Sequence, residues 1–236
     1  MADRKPLAGQ VALVAGATRA AGRGIALALA EAGAEVWCSG RSAGGHAATP
    51  GRPETLEETV ALIEAVGGRA VLVRCDHTDE SQVDALFARV KAEARRLDVL
   101  VNDVWGGDAL IQWGAKFWQI DADAARTLAE RSILSHWLTA KHAAPMMVEA
   151  GRGLIVEVTD GDMPGYRGQW LYDWVKSSVI RMGYAMAWDL VGTGVTALTV
   201  TPGFLRSEAV LESKGCLLYT SPSPRDRTRS RMPSSA

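Results

Sequence analysis

The sequence predicts a doubly wound α/β domain, a parallel sheet of six strands with helices on both faces, and three observations carry that reading. Apolar runs of strand length alternate with apolar residues at helical spacing from Gln10 to Val200. The first strand passes through a glycine-rich turn into a helix and then a second strand, a βαβ unit whose sheet must be parallel and covered on both faces. The 236 residues, 47% hydrophobic and 22% charged with a net charge of -1, suffice for one domain with a full core. That charge argues against a nucleic-acid surface. No apolar run reaches membrane-spanning length, and the charged start Met1-Ala2-Asp3-Arg4-Lys5-Pro6 is unlike a signal peptide, so a cytoplasmic protein is expected. The odd cysteines, Cys38, Cys75 and Cys216, have no metal-type spacing, which predicts small core residues rather than a disulfide framework or a metal site.

Val11 to Ala15 is continuously apolar and reads as the first strand. Gly16-Ala17-Thr18-Arg19-Ala20-Ala21-Gly22-Arg23-Gly24 turns into a helix over Ile25 to Ala32, which Gly33 stops, and Glu35 to Ser39 is the second strand. Such glycines let the backbone approach a pyrophosphate, while a helix N-terminus offers free N–H groups and partial positive charge. Gly16, Thr18, Arg19 and Gly22 are therefore candidate dinucleotide contacts. A carboxylate at the end of the second strand would select NAD; here the strand runs into Ser39-Gly40-Arg41-Ser42, and Arg41 with Arg19 favours the 2′-phosphate of NADP.

Ala43 to Pro53 has no period and reads as a surface excursion. A helix from Glu54 to Val66 follows, with acids in its first turn and Gly67-Gly68 at its end, then a third strand Ala70 to Cys75. Asp76 falls at that strand's C-terminal end, where ligands of open α/β sheets bind. Thr78 is a candidate cap for a helix over Ser81 to Arg96, and Leu97 to Asn102 is the fourth strand. Leu154 to Val158 and Val195 to Val200 are the fifth and sixth.

Between these last two strands, Leu171 to about Leu190 shows helical apolar spacing. Tyr172 and Lys176 are four apart and so share a face. An ammonium beside a phenol favours the phenolate, which predicts a tyrosine whose pKa is drawn down from about 10 toward general acid/base use.

In order and spacing, Gly16, Asp76, Asn102, Tyr172, Lys176, Pro202 and Gly203 resemble the motifs of the short-chain dehydrogenase/reductase family over Leu7 to Glu212. The resemblance implies a Rossmann-type fold and an oxidoreductase that moves hydride between NADP(H) and a carbonyl or alcohol carbon of a small molecule. It also implies a homodimer or homotetramer paired through the helices holding Ser132 and Tyr172. Tyr172 would protonate the carbonyl oxygen and Lys176 would hold the nicotinamide ribose. Gly16, Arg19, Gly22, Arg41, Asp76, Asn102, Pro202, Gly203 and Ser207 would line the cofactor.

The sequence also departs from the family pattern. Ala20 replaces the second glycine of the turn, Asp103 the second asparagine after the fourth strand, and Trp105 a glycine. Ser132, before a helix over Ile133 to Met147, falls where the family holds a water with an asparagine. The catalytic serine position falls on Asp160, with Thr159 beside it as the alternative hydroxyl, and losing such a donor costs about 10²–10³ in rate. These changes leave a non-catalytic dinucleotide-binding protein as the rival expectation; a methyltransferase on a similar fold is disfavoured by the lack of an acid ending the second strand. Trp105, Trp113, Trp118, Trp170 and Trp174 gather around the fourth-strand loop and the Tyr172 helix, where they can form a pocket, core or interface. Residues 213–236 lose all apolar period and resemble translated vector sequence. The domain is accordingly expected over 1–212, without the family's last helix and seventh strand.

Overall fold

A computed structural model describes residues 5–161, 165–203 and 205–214. Residues 215–236, including Cys216 and nearly all of the expected tail, lie outside the described residues. The six strands are β1 (Val11–Ala15), β2 (Glu35–Gly40), β3 (Arg69–Arg74), β4 (Val99–Asn102), β5 (Gly153–Val158) and β6 (Val195–Val200). They form one sheet in the order β3-β2-β1-β4-β5-β6, every neighbouring pair parallel. The chain winds outward from β1 to β3, returns to place β4 beside β1, and winds outward again. This reversal opens a crevice at the C-terminal ends of β1 and β4, where open α/β sheets bind ligands.

The helices are α1 (Ala20–Glu31), α2 (Leu56–Ala65), α3 (Glu80–Glu93), α4 (Ala122–Ala129), α5 (Ser135–Glu149), α6 (Trp170–Asp189) and α7 (Glu208–Lys214). Strand alternation splits the core into two layers. Val11, Leu13 and Leu100 pack with Leu86 and Phe87 of α3 and Ala143 and Met147 of α5, whereas Ala12, Val14 and Val101 pack with Ala26 and Ala30 of α1 and Ile63 of α2. Cys38 and Cys75 are buried in these layers, and burial pushes both thiols up to about 12. On β6, Leu198 and Val200 stay exposed among the described residues. No helix among them is long and apolar enough to cross a membrane.

Several element ends differ from the sequence expectation. The first helix begins at Ala20, so most of the expected glycine turn is wound into α1. Thr55 caps α2 in a reciprocal capping box with Glu58. Asp79, not Thr78, caps α3, accepting from the amides of Ser81 and Gln82, because Thr78 turns its hydroxyl to Asp76 at 2.8 Å. A π-helical turn over Glu130–Leu134 precedes α5 and carries Ser132.

Candidate active site

The floor of the cleft is the turn between β1 and α1. Gly16 has φ +89, and a Cβ on it would collide with the backbone carbonyl of Asp103, while one on Gly22 would collide with that of Gly16. Only glycine lets these three backbones close together. Ala20 also sits in the left-handed region, at φ +50, which strains a residue bearing a Cβ. Arg19 is the extended N-cap of α1 and gives it no side-chain hydrogen bond. The Ala20 amide instead donates to the Glu208 carboxylate, at 3.0 and 3.3 Å to its two oxygens. This start of α1 thus already holds an oxyanion, the requirement for a cofactor phosphate.

The cleft extends over about 1170 Å³ from the ends of β1 and β2 to the start of α6. At its β2 end lie Thr18, Arg19, Arg41, Ser42, Asp76 and Thr78. Arg41 Nη1 is 3.9 Å from Asp76 Oδ2, and Asp76 Oδ1 accepts from the Thr78 amide at 3.0 Å. The first residues after β2 are Arg41 and Ser42, so no carboxylate stands there for a ribose hydroxyl. Pro202, Gly203 and Ser207 border the cleft on the β6 side.

At the other end α6 presents Tyr172 and Lys176. Gln169 fixes the start of this helix, its buried side chain accepting from the Tyr172 amide at 2.7 Å. The Tyr172 hydroxyl donates to Asp160 Oδ2 at 2.8 Å, and Asp160 Oδ1 is bound by Arg167 Nη2. Lys176 Nζ lies 3.9 Å from the centre of the Trp105 ring and 5.6 Å from that of Tyr172. Trp105 meets Tyr172 edge-on at 5.8 Å, Trp113 leans on the same ring at 5.7 Å, and Trp105 Nε1 donates to Asp108 Oδ1 at 2.7 Å.

The electrostatics correct one expectation. Tyr172 is not drawn toward the phenolate: burial, then the hydrogen bond to Asp160 and the charge of that carboxylate, push its pKa well above 10. Burial opposes the charge on Asp160, but Arg167, Tyr172 and Lys176 together outweigh it and hold Asp160 below the usual carboxylate range. Lys176 is lowered by burial against the pull of Asp103, Asp160 and Asp108. Asp103 is raised to about 6 by burial, against Lys176, His136 and a hydrogen bond from the Gly22 amide. The site thus keeps its tyrosine as the neutral acid and its aspartate as the anion.

Four expected site residues are placed differently. Gly22 is buried beneath the Gly16 carbonyl and does not line the cleft. Asn102 is fully buried at the end of β4 and donates from Nδ2 to Glu157 Oε1 at 2.8 Å and to the His136 carbonyl at 3.1 Å. Its side chain anchors the β4 loop and does not line the cleft. Ser132 is buried, its hydroxyl without a hydrogen-bond partner among the described residues, and is also absent from the cleft wall. Thr159 reaches the wall, but its hydroxyl donates to the Lys176 carbonyl at 3.0 Å, leaving Asp160 as the residue facing Tyr172. Of the tryptophans, Trp105 and Trp113 surround Tyr172, while Trp118 is exposed and Trp170 stacks on Trp174 on the outer side of α6.

Three contributors escaped the sequence reading: Arg167, Glu208 and a buried pair in which His136 Nδ1 meets Glu157 Oε2 at 2.6 Å while Nε2 donates to the Val104 carbonyl. The pair holds the loop carrying Asp103 and Trp105. Its only signal in the sequence was an acid, Glu157, inside an otherwise apolar strand.

A family model described as short chain dehydrogenase matches residues 10–214 of the chain. The chain belongs to the short-chain dehydrogenase/reductase family. It is 36% identical over 210 residues, 88% of its length, to the mouse protein named dehydrogenase/reductase SDR family member 1, of which it spans 64%. It is 30% identical over 205 residues to a 3-oxoacyl-[acyl-carrier-protein] reductase of Synechocystis, covering 86% of this chain and 76% of that one. Among solved structures it resembles a short-chain dehydrogenase/reductase of Mycobacterium marinum, with TM-score 0.73, 28% identity and coverage of 86% of this chain and 77% of that one. A metagenomic short-chain oxidoreductase in complex with NADP matches with TM-score 0.73 at 26% identity, over 84% of each chain. The family is one of nicotinamide-dinucleotide oxidoreductases, and the doubly wound sheet expected from sequence is the one this chain forms.

Proposed function

We propose that this short-chain dehydrogenase/reductase is an NADP(H)-dependent enzyme that interconverts a carbonyl and an alcohol, with Tyr172 as its general acid/base. One observation carries the reading: the Tyr172 hydroxyl and the Lys176 ammonium share one face of α6, in the same cleft that the Gly16 turn floors. The nicotinamide, when bound, supplies or accepts the hydride. Its phosphates fit the α1 start, where Glu208 shows that an oxyanion is accepted and where Gly16, Arg19 and Ala20 line the cleft. Arg19 and Arg41, with no acid after β2, favour a 2′-phosphate, and the solved NADP complex of similar fold supports the same choice.

In this reading Tyr172 turns its proton from Asp160 to the carbonyl oxygen as hydride arrives, and Lys176 holds the ribose and the local charge. Asp160 orients the phenol, and Trp105 keeps the Lys176 ammonium in place through its ring face. A second reading, a non-catalytic dinucleotide-binding protein, is favoured by Asp160 at the serine position and by Thr159, the hydroxyl beside it, being committed to the Lys176 carbonyl. Fluorescence titration with NADPH and NADH, followed by a panel of carbonyl compounds, separates the two. Tighter NADPH binding with turnover supports the enzyme; NADPH binding with no turnover on any carbonyl supports the second reading.

The same proposal includes a folding unit over about 1–212 and self-association through α5 and α6. Trp170, Trp174, Tyr184 and Trp188 are exposed along one stripe of α6, with Trp137 exposed on α5.

A further inference from the structure

The group opposite Tyr172 narrows the substrate class. Where the family pattern has a neutral hydroxyl, this chain has a carboxylate, engaged by Tyr172 on one oxygen and by Arg167 on the other. Charged groups acting on this spot are Arg167 and Lys176 on Asp160; Asp160, Asp108 and Arg167 on Tyr172; and Asp103, Asp160 and Asp108 on Lys176. Neither cation is free to receive a substrate oxygen: Arg167 is tied to Asp160, and Lys176 rests on the Trp105 face. An uncharged ketone becoming an alkoxide beside Asp160 therefore meets repulsion from a carboxylate, while Thr159, the neighbouring hydroxyl, is committed to the Lys176 carbonyl.

A substrate that brings its own cation reverses this balance. Each oxygen of Asp160 has a second lone pair, so the carboxylate can accept from an ammonium without releasing Tyr172 or Arg167. The surrounding surface suits the same charge. Trp105 already carries Lys176 on its face, but Trp113 also flanks Tyr172, is 66% exposed, and offers an indole face of the kind that attracts ammonium groups. A carboxylate-bearing substrate would instead have to take Arg167 from Asp160.

We propose that Asp160 is a specificity-determining residue and that the site takes carbonyl and alcohol compounds carrying a protonated amine one or two carbons from the reacting carbon. This rests on the carbonyl–alcohol reading above. The bound ammonium occupies Asp160 and offsets the alkoxide charge from within the substrate, while Tyr172 gives its proton to the oxygen and recovers one from solvent. The hydride that reduces the carbonyl carbon comes from the reduced nicotinamide, which leaves oxidised.

The test compares NADPH-dependent kcat/KM for an α-amino ketone, the ketone with methyl in place of the amine, and the α-keto acid of equal size. A charge-assisted hydrogen bond predicts a preference of about 10–100-fold for the amino ketone. In Asp160→Ser that preference collapses through a loss on the amine and a gain on the neutral ketone. Independently of turnover, the matching 1,2-amino alcohol should quench tryptophan fluorescence saturably, at concentrations raised about 10-fold in Asp160→Ser. Trp113→Ala, at an exposed position that does not endanger folding, should weaken the same binding. Equal use of the neutral ketone, preference for the keto acid, or amine binding indifferent to Asp160→Ser overturns the proposal while leaving the carbonyl reading in place. NADPH binding without turnover of any of the three overturns the carbonyl reading itself, and the quenching titration then still decides whether Asp160 recognises amines.

Discussion

The Tyr172 hydroxyl donates to Asp160 Oδ2 at 2.8 Å, so the proposed proton donor is tied to an anion that resists its ionisation. A phenol in this state serves carbonyl reduction, which needs the proton in place, better than alcohol oxidation, which needs the phenolate. Oxidation by the wild-type protein should therefore keep rising with pH into the alkaline range, while reduction stays level around neutrality. In Asp160→Ser the anion is gone, and the oxidation profile should move to lower pH. Parallel pH–rate profiles for the two proteins check this, and coincident midpoints would contradict it.

Asp103 carries a second pH signature. Its folded pKa, raised to about 6, lies above the ordinary 3.8. The folded state therefore favours the protonated form: the stability Asp103 contributes is full below about pH 4 and lost as pH rises through about 6. Asp103→Asn keeps an oxygen for the Gly22 amide without the buried charge. It should be more stable than wild type at pH 8 by on the order of 1–3 kcal/mol, with no gain at pH 4. Denaturant unfolding at the two pH values measures the difference.

Ala20 occupies a left-handed position, φ +50, at the second glycine of the family's turn. Ala20→Gly should stabilise the protein by about 0.5–1 kcal/mol, the relief of backbone strain less the extra freedom glycine has when unfolded. A rise in thermal midpoint is the expected result, and a fall would show that the methyl contributes packing.

Glu208 places its carboxylate on the Ala20 amide, with Arg23 Nη1 at 3.8 Å. A cofactor phosphate seeking that amide must displace it. Glu208→Gln weakens the competing anion and should tighten NADPH binding about 2–5-fold at low salt. Direct titration of both proteins tests this; weaker binding in the variant would mean that Glu208 supports the cofactor.

The fold was legible because strand-length apolar runs and helical periodicity alternate without interruption, and the sheet formed from the six runs expected. Helix starts were harder: Ala20 to Gly24 read as a turn because of its glycines, yet tertiary packing winds it into α1. In the site, the four-residue spacing of Tyr172 and Lys176 singled the pair out only together with the order of the other motifs, and it did not carry the sign of the Tyr172 perturbation. That sign depends on Asp160, twelve residues away, and on burial, neither of which a four-residue spacing encodes. Asn102 looked like a cofactor contact from its place at the end of β4; the buried acid Glu157 on the adjacent strand and the His136 carbonyl explain why its amide turns inward. Arg167 lies between β5 and α6 in a stretch with no periodicity, so no pattern linked it to Asp160 before the fold did.

The central claim is that Tyr172 gives the proton during reduction by bound NADPH. Single-turnover loss of reduced-nicotinamide absorbance, recorded for wild type and Tyr172→Phe on one carbonyl substrate with NADPH affinity measured in parallel, tests it most directly. The account predicts unchanged affinity with a rate reduced at least about 10²-fold; an equally fast turnover in the phenylalanine variant would contradict it.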